Sequence, residues 1–224
     1  MTRRIAVLRP EPGNAATAAR VKAVGARAIS LPLFAVRPLG WTAPDTADFD
    51  AILLTSANAA RFGGPALAEL NGLPAFAVGE KTAIAARDAG FDVKASGGTD
   101  AAAIVAVARA QGFQRLLHLG GRERSIAAGG PIGAAIAVYA NEALDIADTA
   151  LAELAGAVAL LHSARAAQRL GELVDAAGMA RGDIALAAIS AAVAASAGLG
   201  WSAVAVAAMP RDQALIDAAL ALID

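Results

Sequence analysis

Two distant stretches of this chain repeat one local plan. Residues 51–63, AILLTSANAARFG, and residues 158–171, VALLHSARAAQRLG, each pass from an unbroken apolar run through a serine into an alanine- and arginine-bearing segment, with one extra residue in the second. A short apolar run that ends in a small polar residue reads as a strand buried on both faces, and the polar residue as the cap of a following helix. FAVGEKTAIAARDAGFDV follows the first copy and LAAISAAVAASAGLGWSAV the second. A fainter pair, RIAVLRPE (4–11) and RLLHLGGR (115–122), each begins a strand–helix–strand unit. The resulting order is A (4–37), B (51–110), A′ (115–140), B′ (158–222). Strands spaced by helices of this length predict α/β architecture with parallel sheets covered on both faces. Repeats this large fit two similar domains rather than a solenoid. A could join B, and A′ join B′, through one linker. Alternatively A joins B′ and B joins A′, with two linkers near 34–40 and 137–144. In that case Tyr139, the chain's one tyrosine, sits on a linker and faces whatever fills the cleft.

Local signals support the alternation. RIAVL (4–8) reads as a strand, followed by a helix with Pro12 near its start and Gly25 near its end. RAISLPLFAV reads as extended chain, and FDAILLTS (49–56) as a buried strand. Residues 74–93 read strand, turn, helix, Gly90 stop, strand. Residues 99–112 read as a helix with Thr99 as N-cap. From Ile184 to Met209 no residue is charged, a length that could span a bilayer. Alanine, serine and glycine dominate there and GLGW splits it, so the reading is strand (184–189), helix (191–197), strand (203–208).

Several function classes are excluded. Net charge is −1, so no overall field steers the chain to nucleic acid or membrane. Cysteine is absent, which removes disulfides, thiolate metal sites and cysteine nucleophiles. The start MTRRIAVLRP lacks a signal-peptide apolar core, and a cytoplasmic location is expected. GLGWSA (198–203) imitates a dinucleotide fingerprint but precedes a strand instead of following one. His118 and His162 fall near strand ends with no carboxylate cluster beside them, so they read as hydrogen-bonded core or rim histidines and no metal site is expected.

LLTSAN (53–58) and LLHSAR (160–165) are more informative. Each puts small polar residues between a strand's C-terminal end and a helix, where open α/β sheets bind ligands and helix N-termini offer N–H groups to anions. Each serine alone would be a plain cap; the same device in both halves favours a shared ligand. Arg9, Lys81, Arg122, Arg124 and Arg165 fall in these loops. Singly they would be solvated charges. Together they suit a multiply anionic small molecule better than nucleic acid, which brings a basic excess and stacking aromatics.

These residues resemble the uroporphyrinogen-III synthase family. The matching stretches are IAVLRPEPGNAATAARVKAVGARAISLPLF, DAILLTSANAARF, FAVGEKTAIAARDAGF, VYANEAL and ALLHSARAAQRL, in the family's order. The resemblance implies two flavodoxin-like α/β domains joined by two extended linkers: 1–34 with 145–224, and 41–136, with linkers 35–40 and 137–144. It implies cyclisation of a linear tetrapyrrole, hydroxymethylbilane, with inversion of its last ring and no cofactor. The substrate's eight carboxylates would meet Arg9, Ser56, Ala57, Asn58, Gly79, Lys81, Arg122, Ser163, Ala164, Arg165 and Ser190. The family's conserved tyrosine falls on Tyr139, as general acid toward the departing hydroxyl; a free phenol is protonated at neutral pH. The small-molecule tetrapyrrole is the expected partner, with transient contact to the upstream deaminase, and no nucleic acid or membrane. The chain departs from the family at Ser163–Ala164, where Ser-Pro is common, at Ser190-Ala191-Ala192-Val193, and at LGGRERS. A non-catalytic paralogue binding a tetrapyrrole or another polyanion, or a two-domain anion-binding or transport module, is the alternative.

Overall fold

The structure is a computed structural model describing residues 3–97, 100–124 and 126–223. In chain order its main elements are β1 (Arg4–Val7), α1 (Gly13–Ala23), β2 (Arg27–Ser30), β3 (Phe34–Pro38), β4 (Ala51–Leu54), α2 (Ala57–Phe62), β5 (Ala75–Val78), α3 (Glu80–Asp88), β6 (Val93–Gly97), α4 (Ala101–Ala110), β7 (Leu116–Gly121), β8 (Ile132–Ala143), α5 (Asp148–Leu151), β9 (Val158–Leu161), α6 (Ala164–Ala176), β10 (Ala185–Ala188), α7 (Ala191–Ser196), β11 (Val204–Val206) and α8 (Asp212–Leu220). They form two compact units, Met1–Ala35 with Ala143–Asp224, and Val36–Glu142.

The first unit holds a parallel sheet in the order β11-β10-β9-β1-β2. Its strands are apolar on both faces because both faces are covered. Ala6, Leu8, Ala159, Leu161, Leu186 and Ala188 join one core with Leu170, Val174 and Val193 of α6 and α7. Their alternates Ile5, Val7, Val158, Leu160 and Ala187 join the other with Val21, Leu215 and Ile216 of α1 and α8. The period of two sends successive side chains to opposite faces. On α6 the buried residues Ala166, Ala167, Leu170, Gly171 and Val174 make one stripe. Leu170 is fully buried, so Leu170→Ala is expected to cost about 2–5 kcal/mol.

The second unit's sheet runs β3-β8-β7-β4-β5-β6. Ile52, Leu54, Leu117 and Leu119 face the core that includes Ala59 of α2 and Ala86 of α3. Ala51, Leu53, Phe76 and Leu116 pack with Ile104 and Ala108 of α4, where Phe113 meets Phe76 edge-on at 5.1 Å between ring centres. The cap of α4 is Asp100, whose carboxylate accepts from the Ala103 N–H at 2.8 Å; Thr99, the expected cap, lies outside the described residues.

Two details differ from the sequence reading. RAISLPLFAV is two strands belonging to different sheets, β2 and β3. Pro32, without an N–H, interrupts the ladder between Leu31 and Leu33, whose N–H groups bond to the carbonyls of Val7 and Leu8. Residues 137–143 continue strand β8. Leu39 N–H donates to the Val138 carbonyl and Leu144 N–H to that of Leu33, so the two extended stretches are paired with each other. The uncharged segment 184–209 forms β10, α7 and β11, and no helix among the described residues is long and apolar enough to cross a membrane.

Candidate active site

In the second unit the parallel register fixes a row of residues. Leu54 of β4 pairs with Ala77 of β5 and Leu119 of β7, and Gly121 of β7 pairs with Tyr139 of β8. Two residues beyond Leu54, the same row therefore carries Ser56, Gly79, Gly121 and Tyr139. Ser56 caps α2, its Oγ accepting from the Asn58 N–H at 3.2 Å. Gly79 begins α3 with φ 78°, a left-handed value that suits glycine. Tyr139 is only 5% exposed and its ring belongs to the core. A Cβ at Gly121 would lie 2.7 Å from Cζ of that ring, so glycine makes room for the phenol. Oη has no hydrogen bond to the described residues, yet is not among their solvent-excluded unpartnered atoms. The ring is thus packed against Gly121 and the core. Lys81 and Arg122 are exposed. Arg122 is shared between Glu123 at 3.6 Å and Glu142 at 3.9 Å, and the Arg124 side chain lies outside what is described.

The first unit repeats the row with different chemistry. Val7 of β1 pairs with Leu160 of β9, and Leu161 with Ala188 of β10, which brings Arg9 level with His162 and Ser163 level with Ser190. Ser163 caps α6 through the Ala166 N–H at 3.2 Å, and Ser190 caps α7 through the Val193 N–H at 3.4 Å. Ala164 is the exposed first residue of α6; losing the family's proline there leaves the cap intact. Arg165 stacks its guanidinium over Phe34 at 4.4 Å from the ring centre.

Asp212, the first residue of α8, was not anticipated. It accepts from Thr17 Oγ1 at 2.9 and 3.0 Å, Arg20 Nη1 at 2.6 Å, His162 Nε2 at 2.8 Å and Arg9 Nη1 at 3.5 Å. Burial raises its carboxyl pKa, but hydrogen bonds from His162, Thr17 and Arg20 outweigh that and the pKa lies below its ordinary value. Burial lowers the His162 pKa, against the bond to Asp212 and helped by the Arg9 charge. His162 is therefore neutral at pH 7, and its contact with Asp212 is an N–H donated to a carboxylate rather than an ion pair. Its Nδ1 is buried with no hydrogen-bond partner among the described residues.

Both histidines are hydrogen-bonded core or rim residues, as the sequence reading has them, and each differs in one detail. His118 is not at a strand end; it is the third residue of β7 and fully buried. Its Nε2 lies 3.1 Å from Thr55 Oγ1, and burial lowers its pKa despite the nearby Ile126 backbone. His162 does have a carboxylate partner, contributed from fifty residues away, beyond the reach of any local pattern. No group of three or more His, Asp or Glu among the described residues could hold a metal. The GLGWSA loop leads into β11 and is braced by Arg181, which donates to the carbonyls of Ala197 at 3.2 Å and Leu199 at 3.1 Å.

The family model described as uroporphyrinogen-III synthase HemD matches residues 15–217. Among solved structures, the chain is similar to uroporphyrinogen-III synthetase from Helicobacter pylori 26695, with a TM-score of 0.68 at 18% identity, covering 99% of this chain and 100% of the other. A mutant uroporphyrinogen III synthase from the extremely thermophilic bacterium Thermus thermophilus aligns at 16% identity with a TM-score of 0.47, over 96% of each chain. No curated protein matches.

Proposed function

The chain belongs to the uroporphyrinogen-III synthase family, and from that premise we propose how its residues carry out the reaction. It is a cyclising lyase of tetrapyrrole biosynthesis, closing hydroxymethylbilane to uroporphyrinogen III. Tyr139 is the proposed general acid. Its Oη–H gives a proton to the terminal hydroxyl, the carbon–oxygen bond breaks and water leaves. The cationic carbon then closes the ring with inversion of the last pyrrole, and the phenolate takes back the proton that the newly bonded pyrrole carbon releases. The observation that carries this role is the phenol itself: a ring locked against Gly121, with a hydroxyl no described residue engages.

The strand-end rows are proposed to bind the substrate's carboxylates. Ser56, Ala57, Asn58, Gly79 and Lys81 supply backbone and side-chain donors in the second unit, with Arg122 beside them. Arg9, Ser163, Ala164, Arg165 and Ser190 do so in the first. Helix starts offer N–H groups to anions, and eight carboxylates spread the binding over many weak contacts. Stretches 35–40 and 137–144 are proposed as the linkers between domains 1–34 with 145–224 and 41–136. A cytoplasmic location is also proposed, as is transient contact with the deaminase that makes the substrate. Hydroxymethylbilane closes by itself to the wrong isomer, so a short transfer limits loss.

The test is to supply freshly generated hydroxymethylbilane and separate the isomers. The wild type yields isomer III; isomer I alone would refute the activity. Tyr139→Phe keeps the ring and removes the hydroxyl, so isomer III formation should fall about 10²–10⁴-fold at matched fold. A wild-type rate would remove Tyr139 from the mechanism.

A further inference from the structure

We infer that Asp212 is a positioning residue for substrate binding in the first unit, acting through Arg9. The inference rests on the reading that Arg9 takes a substrate carboxylate. Asp212 gathers donors from three other parts of the unit: Arg9 after β1, Thr17 and Arg20 on α1, and His162 after β9. Three of them approach within 2.6–3.0 Å and satisfy the carboxylate. Those three bonds explain why α8 is fastened where it is.

Arg9 is bound differently. Its contact is longer, 3.5 Å, and its side chain is 36% exposed. On its other side the guanidinium lies over Gly13, where a Cβ would collide with Arg9 Nε. A flexible cation is thus held between a bare stretch of backbone and a carboxylate already satisfied by others. That arrangement fixes the direction of the guanidinium while leaving most of its five N–H donors uncommitted. Such a group can take a second carboxylate without surrendering a strong bidentate pair.

Charge leads to the same conclusion. With His162 neutral, the cluster contains Arg9, Arg20 and Asp212, which leaves one positive charge in surplus. Asp212 therefore has two opposing effects on an anionic substrate. Its charge repels the substrate, and its contact holds Arg9 ready. The proposal is that the second effect wins, because ordering a long side chain in advance removes an entropic cost from binding.

The opposing signs make the test decisive. Steady-state formation of isomer III is measured for the wild type, Asp212→Asn, Arg9→Ala and the double variant. Asp212→Asn is expected to raise KM on the order of tenfold, the scale of one charge-assisted hydrogen bond, with kcat nearly unchanged. Arg9→Ala should raise KM as well, and the double variant should be no worse than Arg9→Ala alone. Asp212→Glu should restore part of the affinity. A lowered or unchanged KM in Asp212→Asn, or full additivity in the double variant, overturns the inference while leaving Arg9 as a ligand. A wild-type KM in Arg9→Ala overturns both. Gly13→Ala provides a version independent of α8, since it displaces Arg9 and spares the bonds of Thr17, Arg20 and His162. The same rise in KM is expected there, and a wild-type KM overturns the inference even where Asp212→Asn fails to fold.

Discussion

Thr55 and His162 occupy the same place in two copies of one design. Each follows an all-apolar strand and precedes a capping serine. Thr55 turns inward to His118, a neutral residue inside the sheet, and the neighbouring row carries a packed phenol, Tyr139, with no hydrogen bond to the described residues. His162 turns to Asp212, which also collects Thr17 and two arginines. Backbone and cap are conserved between the copies; the chemistry beside the cap is not. The comparison teaches that one scaffold can carry a packed phenol beside its cap in one unit and an arginine–carboxylate cluster in the other. The proposed roles divide accordingly: both rows hold carboxylates, the second unit adds the proton donor, and the first adds an arginine braced by a carboxylate.

Between the two rows, the largest expected stability effect lies at their glycines. At Gly121 a new Cβ would meet the Tyr139 ring at 2.7 Å from Cζ and 2.9 Å from Oη. That ring is 5% exposed and packed on its other sides, so it cannot simply move away. Gly121→Ala should cost about 1–3 kcal/mol, the scale of overpacking, and should slow isomer III formation by displacing the phenol. At Gly13 the obstacle is the flexible end of Arg9, which can swing into solvent. Gly13→Ala should therefore cost less than about 0.5 kcal/mol in folding, as surface changes do, even though it disturbs binding. Equal urea midpoints for the two variants would break the distinction between a locked donor and a movable one.

The alternation that places these rows was legible in the sequence, because period-two burial on both faces forces apolar runs such as AILL and VALL, and glycines mark the exits. The serine caps were legible for the same reason: a small polar residue between strand and helix has few other uses. Asp212 was not. Its value comes from Thr17, Arg20 and His162 converging in space, and a carboxylate at a helix start looks the same when it has no partners at all. The split of RAISLPLFAV between two sheets was hidden because both halves are extended and only Pro32 marks the break. His118 looked close to a strand end because LLHLGG ends in glycines. Those glycines instead extend the strand and make room, a Cβ at Gly120 lying 2.7 Å from the imidazole.

Acid titration should sharpen the comparison at intermediate size. Burial lowers the pKa of both histidines below 6.5. Between that folded value and 6.5 the unfolded chain binds the extra proton, so each neutral histidine contributes stability that is complete above pH 6.5 and is lost as pH falls through the folded value. The slope is at most about 1.4 kcal/mol per pH unit for each group. The Asp212 pKa is also lowered, so its contribution is complete above pH 3.8 and disappears at lower pH. Each unit should thus lose stability first in a histidine window and then in a more acidic carboxylate window, through Asp212 and Asp175 in the first unit and the exposed Glu80 in the second. His118→Gln and His162→Gln should each flatten the dependence of the urea midpoint below pH 6.5. An unchanged slope in both variants would show that the histidines are not titrating as the geometry requires.

The smallest effects test whether the shared caps are equivalent. Ser56 and Ser163 accept from their helices at 3.2 Å, and Ser190 does so at 3.4 Å. Hydrogen bonds weaken as they approach the upper end of the distance range, so Ser190 should contribute least. Ser56→Ala and Ser163→Ala should each cost about 1 kcal/mol, and Ser190→Ala about half of that. Both α2 and α7 have six residues whereas α6 has thirteen, so helix length alone would group Ser56 with Ser190. Bond length groups Ser56 with Ser163 instead, although Ser56 caps the N–H two residues ahead and Ser163 the one three ahead. Urea midpoints of the three alanine variants decide between these groupings. If Ser56→Ala matches Ser190→Ala, helix length sets the cost and the two units' caps differ in strength for a reason unrelated to the bond. If it matches Ser163→Ala, capping bonds of equal length have equal value in both copies, whichever N–H they satisfy.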